Sequence, residues 1–433
     1  MELVWSLTNT WVWYLSLFIF IVSYYFIARE ENYHMNKAKP ALLAWTSIFI
    51  IIWFYFVLNW LDTNILHEET RNLLVEISEI FFFLLVAMTY IEVMRDRWVF
   101  DELKKRLILS WYTYKKIFWI IWFLAFFISP VADNLTTALV LSAVAFSLSK
   151  DAKILVPLAI IIVVWANSWW SWSPFWDITT LMAWTSGKAE IFEFFSLFPS
   201  AFIWFLVTAF FLSLNIPNIK ISSTKKMLSI WMKSWWKRVI FLWLFTIFIS
   251  IVIQHYFNIP AMWWMMFWLS LLHLTSYHTK NTDKKIWFDV YKNLKKTEMD
   301  TLLFFFWILS IIWALEFIWY LDYIANFYEY FWVINSSIII WFLSSIVDNI
   351  PVMSAVLKSP IDIDTTWWLL LTLCVWIWGS LISFWSAAWI WVMSKMRWFY
   401  TFWAHMKYFP IIFLWYIVSI WVFYLQFYVF KLF

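Results

Sequence analysis

Long apolar runs, separated by short polar and mostly basic breaks, dominate this chain from end to end. Runs at about 4–27, 41–60, 72–94, 154–185, 192–214, 239–257, 259–276, 301–321, 366–394 and 409–430 each predict a helix able to cross a membrane. A hydrocarbon layer of about 30 Å needs roughly 20 apolar residues in helical form. Two further stretches, 112–148 and 327–358, carry a polar pair near their centres, Asp133-Asn134 and Asp348-Asn349. Charge and irregular backbone at that depth are tolerated only inside protein or against a cavity. Each stretch therefore reads as a re-entrant helical hairpin with Asp-Asn at its tip. The pattern predicts an all-α polytopic membrane protein.

The basic residues orient it. With the N-terminus outside and both hairpins returning to their own side, the cytoplasmic segments are 28–40, 95–116, 149–153, 215–238, 277–300 and 395–407. They hold 27 of the 31 Lys and Arg, leaving Arg71, Lys188, Lys358 and Lys431 outside. That asymmetry is the positive-inside pattern. It makes the first hairpin enter from the cytoplasm and the second from outside. The chain then divides into N-terminal helices (1–94), a first unit (95–214), a basic cytoplasmic linker (215–238) and a second unit of opposite orientation (239–433). Inverted repeats with interrupted helices around a midplane site mark secondary transporters.

Composition adds one anomaly. The chain is 64% hydrophobic and 13% charged, with a net charge of +4 that does not point to nucleic acid. Its single cysteine, Cys374, excludes an intrachain disulfide, and the six histidines lack metal-ligand spacing. The first apolar stretch is too long, and lacks the basic start, for a cleavable signal peptide. There is no phosphate loop and no hydrolase triad. Yet 433 residues contain 41 Trp and 2 Gly, where roughly 7% glycine is usual. Trp-Trp-Ser at 169–171 matches Trp-Gly-Ser at 378–380, and Phe175-Trp176 matches Phe384-Trp385, all at an offset of 209 that sets Trp170 on Gly379. The expectation is that most of these Trp are glycines encoded by UGA. A belt of genuine interfacial Trp is the alternative, but here Trp runs through span centres and basic loops.

The candidate chemistry clusters at the tips and breaks. The first tip supplies Asp133, Asn134, Thr136 and Thr137; the second supplies Ser344, Asp348 and Asn349. The interrupted span of the first half adds Asn167, Asp177, Thr179 and Thr180, and that of the second adds Ser383 and Ser386. Oxygen donors in such number suit a small hard cation, and no Lys or Arg stands near either tip or break in sequence. A carboxylate withdrawn from water favours its neutral form, while a bound cation favours the ionised form. One aspartate can thus hold either a proton or a cation. The plain alternative is that a lone intramembrane Asp or Thr braces helices by hydrogen bonding. Glu79, the deepest acid of the third span, is a candidate proton-path residue.

At these motifs the chain resembles the NhaD-type sodium/proton antiporters of the ion-transporter superfamily, which also holds arsenite and dicarboxylate carriers. The likeness runs through H-M-N-K-A-K-P-A-L-L (34–43), E-I-F-F-F-L-L-V-A-M-T-Y-I (79–91), both Asp-Asn tips, L-L-F-F-F-W-I-L (302–309) and Y-T-F-W-A-H-M-K-Y (400–408). It implies a multi-pass protein of the bacterial inner membrane that exchanges Na⁺ or Li⁺ for H⁺ without a cofactor. It also implies transport roles for Asp133, Asn134, Asn167, Asp177, Thr179, Thr180, Ser344, Asp348, Asn349, Ser383 and Ser386. The departures are Trp169, Trp170, Trp176, Trp378, Trp385 and Trp389, where the family has small residues. Read as glycine, with Trp172 kept, they restore the match. An arsenite or carboxylate carrier on the same fold is the rival reading, and an intramembrane aspartyl protease a remote one. The expected partners are Na⁺ or Li⁺, H⁺ and the lipid bilayer; a homodimer is compatible with the sequence.

Overall fold

In hydrocarbon, a helix satisfies its backbone from within, and the computed structural model is helical almost throughout. It describes all residues except 1–6, 30–32, 34, 110–111, 133, 169–177, 221–231, 283–287, 347–348, 379–391, 394–395, 397–398 and 432–433. Helices α1 (Trp11–Ala28), α2 (Ala38–Leu58) and α3 (Thr63–Asp96) open the chain, followed by the short α4 (Val99–Ile108). Next come α5 (Tyr114–Ala132), α6 (Asn134–Leu148), α7 (Ala152–Ser168), α8 (Ile178–Thr185), α9 (Ile191–Phe195) and α10 (Phe198–Leu214). Beyond them lie α11 (Trp236–Phe257), α12 (Ala261–Thr282), α13 (Val290–Leu294), α14 (Met299–Phe317), α15 (Asp322–Ile346), α16 (Asn349–Lys358) and α17 (Thr365–Trp378). The chain closes with α18 (Phe402–Met406) and α19 (Phe409–Tyr424), whose last turn loosens to a π-helix at Leu425–Val429.

Six of these elements are long and apolar enough to cross a membrane: Ala38–Leu58, Thr63–Asp96, Ile191–Leu214, Trp236–Phe257, Met299–Phe317 and Phe409–Val429. Shorter apolar helices lie at Trp11–Ile27, Thr136–Leu148, Ala152–Ala166 and Thr365–Val375. Local chemistry sets several starts. Thr10 accepts from Trp13 N at 3.3 Å to cap α1, Asp62 accepts from Asn64 N at 2.9 Å to cap α3, and Pro opens α10 and α19. α3 begins nine residues earlier than apolarity alone predicts (Thr63 rather than 72), because this cap extends the helix through a polar first turn. The two long stretches with central Asp-Asn are helical on either side of residues 133 and 347–348, as α5 and α6 and as α15 and α16. The expected span at 154–185 is α7 and α8, on either side of residues 169–177.

The connecting segments gather at two opposite ends. At one end, Tyr114 N donates to Ile219 O at 3.1 Å, Asn36 donates to Asp300 at 2.7 Å, and Lys233 pairs with Asp96 at 3.3 Å. Arg97, 2% exposed, sits at this end between Asp96 (2.9 Å), the Ser234 carbonyl (3.5 Å) and the Phe288 ring (4.7 Å). Burial lowers the proton affinity of its guanidinium, and the Asp96 carboxylate opposes that shift. At the other end, Tyr320 donates to the Trp13 carbonyl at 2.7 Å and stacks on its indole, Lys188 lies over Trp368, and Lys358 pairs with Glu76 and Glu316. Tyr114 OH also donates to Leu148 O at 3.2 Å, so the start of α5 and the end of α6 lie side by side.

Helix ends expose a conformational oddity. Among the described residues, seven non-glycine residues have positive φ and four of them are Trp: Trp60 (57°), Trp98 (60°), Trp235 (73°) and Trp319 (69°). A Cβ makes that region costly, and glycine is its usual occupant. After α2, Trp60 N donates to Val57 O and Leu61 N to Phe56 O; after α14, Trp319 N donates to Glu316 O and Tyr320 N to Leu315 O. These are complete Schellman closures, in which the left-handed position is typically glycine. Gly187, at φ 66°, makes the same pair of bonds after α8, through Gly187 N to Trp184 O and Lys188 N to Ala183 O. Space is open where its Cβ would be, so conformation alone asks for glycine there. Five buried indole nitrogens, of Trp13, Trp45, Trp122, Trp165 and Trp268, also find no hydrogen-bond partner among the described residues. Each such donor carries a desolvation cost.

Candidate functional site

The helices that bear the expected ligands pack into one assembly. α5, α6 and α7 pack on one another, as do α15, α16 and α17. The halves meet where α16 packs on α8 and α17 packs on α7 and α8. This joins the helix that begins with Asn349 to the helix that carries Thr179 and Thr180.

Two serine contacts tie the stretches with central Asp-Asn to α7 and α17. Ser129, four residues before Asp133, donates to Ala166 O at 2.9 Å. Ser344, four residues before Asp348, donates to Val375 O at 3.2 Å. The two acceptors, 166 and 375, differ by the same 209 as the sequence repeat. Both serines are buried. A buried Ser bonded to a carbonyl near the end of a neighbouring helix satisfies two groups that hydrocarbon would leave unpaired.

Around this frame lie buried hydroxyls. Thr136, Thr137, Thr179 and Thr180 are all at most 2% exposed, Ser344 is buried and Asn349 is half-buried. Thr137 Oγ1 has no partner among the described residues and so remains available as a donor or acceptor. Asp133, Asp177, Ser383, Asp348 and Ser386 lie outside the described residues, as do the side chains of Asn134 and Asn167.

Glu79 is half-buried on α3 and lines a cavity of 130 Å³ together with Phe83, Leu181, Thr185, Gln254 and Asn258. The cavity lies toward the end that holds Lys188 and Lys358, between α3, the close of α8 and the α11–α12 turn. Sequence reasoning found Glu79 but not Gln254 and Asn258, whose polar side chains close a helix end and signal nothing by themselves.

One expectation is corrected. No Lys or Arg stands near the tips in sequence, but Arg95 reaches the first one in space: its guanidinium donates to Thr136 Oγ1 at 2.9 Å. The same guanidinium pairs with Glu92, one turn earlier on α3. The legible signal was the i,i+3 spacing of Glu92 and Arg95, which places both on one helix face. Nearby on α4, Glu102 accepts from Arg106 at 2.9 Å and Lys105 at 3.3 Å. Those bonds, Arg106 first, hold its carboxyl below the ordinary range against the opposing effect of desolvation. No cluster of three or more His, Cys, Asp or Glu suited to a metal occurs among the described residues.

The family model for citrate transporters, CitMHS, matches residues 15–376. The chain is 36% identical to the Na⁺/H⁺ antiporter NhaD of Halomonas elongata, over 96% of this chain and 88% of that protein. It is equally 36% identical to the NhaD antiporter of Vibrio cholerae, over 95% of this chain and 91% of that one. Sodium/proton antiporter 1 of Arabidopsis thaliana is 30% identical over 39% of this chain and 28% of its own length. By these matches, over nearly its whole length, the chain belongs to the CitMHS transporter family and stands within it beside the NhaD sodium/proton antiporters.

Proposed function

We propose that this protein expels Na⁺ or Li⁺ in exchange for H⁺ by alternating access, with intramembrane aspartates that hold either a proton or the cation. The observation that carries this reading is the likeness to NhaD antiporters along the entire chain. The protein is a multi-pass membrane transporter and not an enzyme. The bacterial inner membrane is its proposed location, and the homodimer its proposed assembly.

The site reading goes further. Asp133 and Asp348 at the tips, and Asp177 after the first break, are the proposed exchanging carboxylates. Asn134, Thr136, Thr137, Asn167, Thr179, Thr180, Ser344, Asn349, Ser383 and Ser386 are the proposed oxygen donors, and Glu79 leads protons along its cavity. Deprotonation of an aspartate creates the charge that holds Na⁺, and reprotonation from the other face expels it. The two substrates therefore compete for one carboxylate. Burial of the hydroxyls of Thr136, Thr137, Thr179 and Thr180 supports a dehydrated ligand set.

The proposed units (95–214 and 239–433, joined by linker 215–238) are inverted repeats with re-entrant hairpins. Support comes from the matched serine bonds to Ala166 and Val375, and from Tyr114 touching Leu148. The loop contacts support the orientation too: each joins segments that the basic residues assign to the same face. The proposal includes glycine, decoded from UGA, at Trp169, Trp170, Trp176, Trp378 and Trp385. Trp at four left-handed positions and five unpartnered indoles support it.

A carboxylate carrier is the second reading, favoured by the description of the matching family model. The Arg95 guanidinium argues little for it, since Glu92 already neutralises that charge. The test uses vesicles with an imposed pH gradient, followed through gradient collapse on addition of Na⁺, Li⁺ or citrate. Na⁺-saturable collapse, lost in the Asp133→Asn/Asp348→Asn double variant, is expected. Collapse by citrate alone would establish the carboxylate carrier, and full exchange in the double variant would show that the tip aspartates merely hold the fold together.

A further inference from the structure

Arg95 stands near the end of α3, on the face assigned to the cytoplasm. One guanidinium nitrogen pairs with Glu92 and the other donates to Thr136 Oγ1 at 2.9 Å. Its partners are buried, at 7% for Glu92 and 2% for Thr136, whereas the Arg95 side chain is 40% exposed. The guanidinium therefore sits at the boundary between cytosol and tip, bonded to a residue three positions along the chain from Asp133. Lys296 and Glu298, on the approach to α14, are the other charged groups near Glu92. Two residues beyond Arg95, Arg97 is gripped by Asp96, Ser234 and Phe288, so this end of α3 is a fixed post.

One consequence follows for a cation: a hydroxyl that accepts from a guanidinium has given up one of its two lone pairs, so Thr136 Oγ1 has less to offer an arriving ion while the bond lasts. Toward the outer end, by contrast, the Glu79 cavity leaves 130 Å³ of space beside α8. The same molecule is thus braced at the cytoplasmic end and open toward the outer one.

We propose that Arg95, oriented by Glu92, is the cytoplasmic latch of the first tip. It is a positioning residue: bonded to Thr136 it holds that hydroxyl from the cytoplasmic side, and it swings away when the site opens inward. Its fork can hold both partners at once, which a lysine at the same place cannot do with the same rigidity. The latch rests on the antiport reading and on the orientation proposed above.

The test measures half-saturating Na⁺ and maximal rate of gradient collapse from each face, in everted and in right-side-out vesicles. Arg95→Gln removes the latch and its charge. Half-saturating Na⁺ at the cytoplasmic face should fall by roughly fivefold or more, the low end of coupling common between linked sites. At the outer face it should stay level or rise. Arg95→Lys should give an intermediate shift of the same sidedness, as should Glu92→Gln, and these two carry the test if Arg95→Gln does not insert. Equal shifts at both faces, or a lower maximal rate with half-saturation unchanged, would make Arg95 a structural brace and overturn the latch. If the parent protein shows no Na⁺-dependent exchange, the antiport reading fails instead, which keeps the two failures distinct.

Discussion

Replacing Trp60 by glycine should stabilise the protein, although it deletes the largest side chain in the repertoire. Trp60 is 95% exposed, so almost no packing is lost with the indole. What is removed is the strain of a Cβ at φ 57° in the Schellman closure of α2. The left-handed region costs a residue with a Cβ about 1–2 kcal/mol. Glycine returns about 0.5–1 kcal/mol of that through its freer unfolded chain. The net gain is about 0.5–1 kcal/mol. Trp60→Ala is the control, because it deletes the indole but keeps the Cβ and so keeps the strain. The chain carries its own reporter in Cys374, its single cysteine, which is buried. Heating detergent-solubilised protein with a thiol-reactive dye reads unfolding as Cys374 becomes accessible. Trp60→Gly should raise the midpoint by about a degree or two, while Trp60→Ala should not. If alanine matches glycine, or glycine lowers the midpoint, the conformational reasoning fails.

Other outcomes follow from the same structure. In protein isolated from the native cell, peptides covering positions 60 and 319 should carry glycine by mass spectrometry; indole at both would end the recoding proposal. A cysteine placed in 215–238 should react only with membrane-permeant reagents, and one at Lys188 with impermeant reagents from outside; cytoplasmic labelling of both would remove the inversion. Because Arg106 and Lys105 lower the Glu102 carboxyl, its stabilising contribution is complete above the ordinary carboxylate range and is lost as pH falls through the lower folded value. Glu102→Gln should therefore lower stability at neutral pH and flatten its decline in acid, and an unchanged acid limb would count against the pairing.

The helices were legible because membrane spans need little but apolar length, which is why α2, α11, α14 and α19 lie close to their expected positions. The helical character of both Asp-Asn stretches was legible for the same reason, while the turn expected at each pair lies outside the described residues. Other features depended on distance along the chain. Nothing in sequence joins Arg95 to Thr136, 41 residues on, or Ser129 to Ala166, because both contacts arise from how the helices cross. The cap by Asp62 moved the start of α3 outward, where apolarity was silent. The unusual Trp count was visible at once, but composition could not say which Trp mattered. Backbone φ did, by placing four of them where a Cβ is costly.

The setting of Arg97 dictates an order of assembly. Its guanidinium is buried by groups that the chain supplies late, from Ser234 and Phe288. At about 5–20 residues per second, the ring that covers it arrives on the order of ten to forty seconds after Arg97 itself. Until residue 234 has been made, Asp96 is the only one of these partners present, and until residue 288 has been made the charge lacks its aromatic cover. The first half therefore cannot finish its inner surface before the second half is under way. A ribosome that stalls within the linker leaves a product whose unsealed arginine would distinguish it, to any quality-control protease, from a completed transporter.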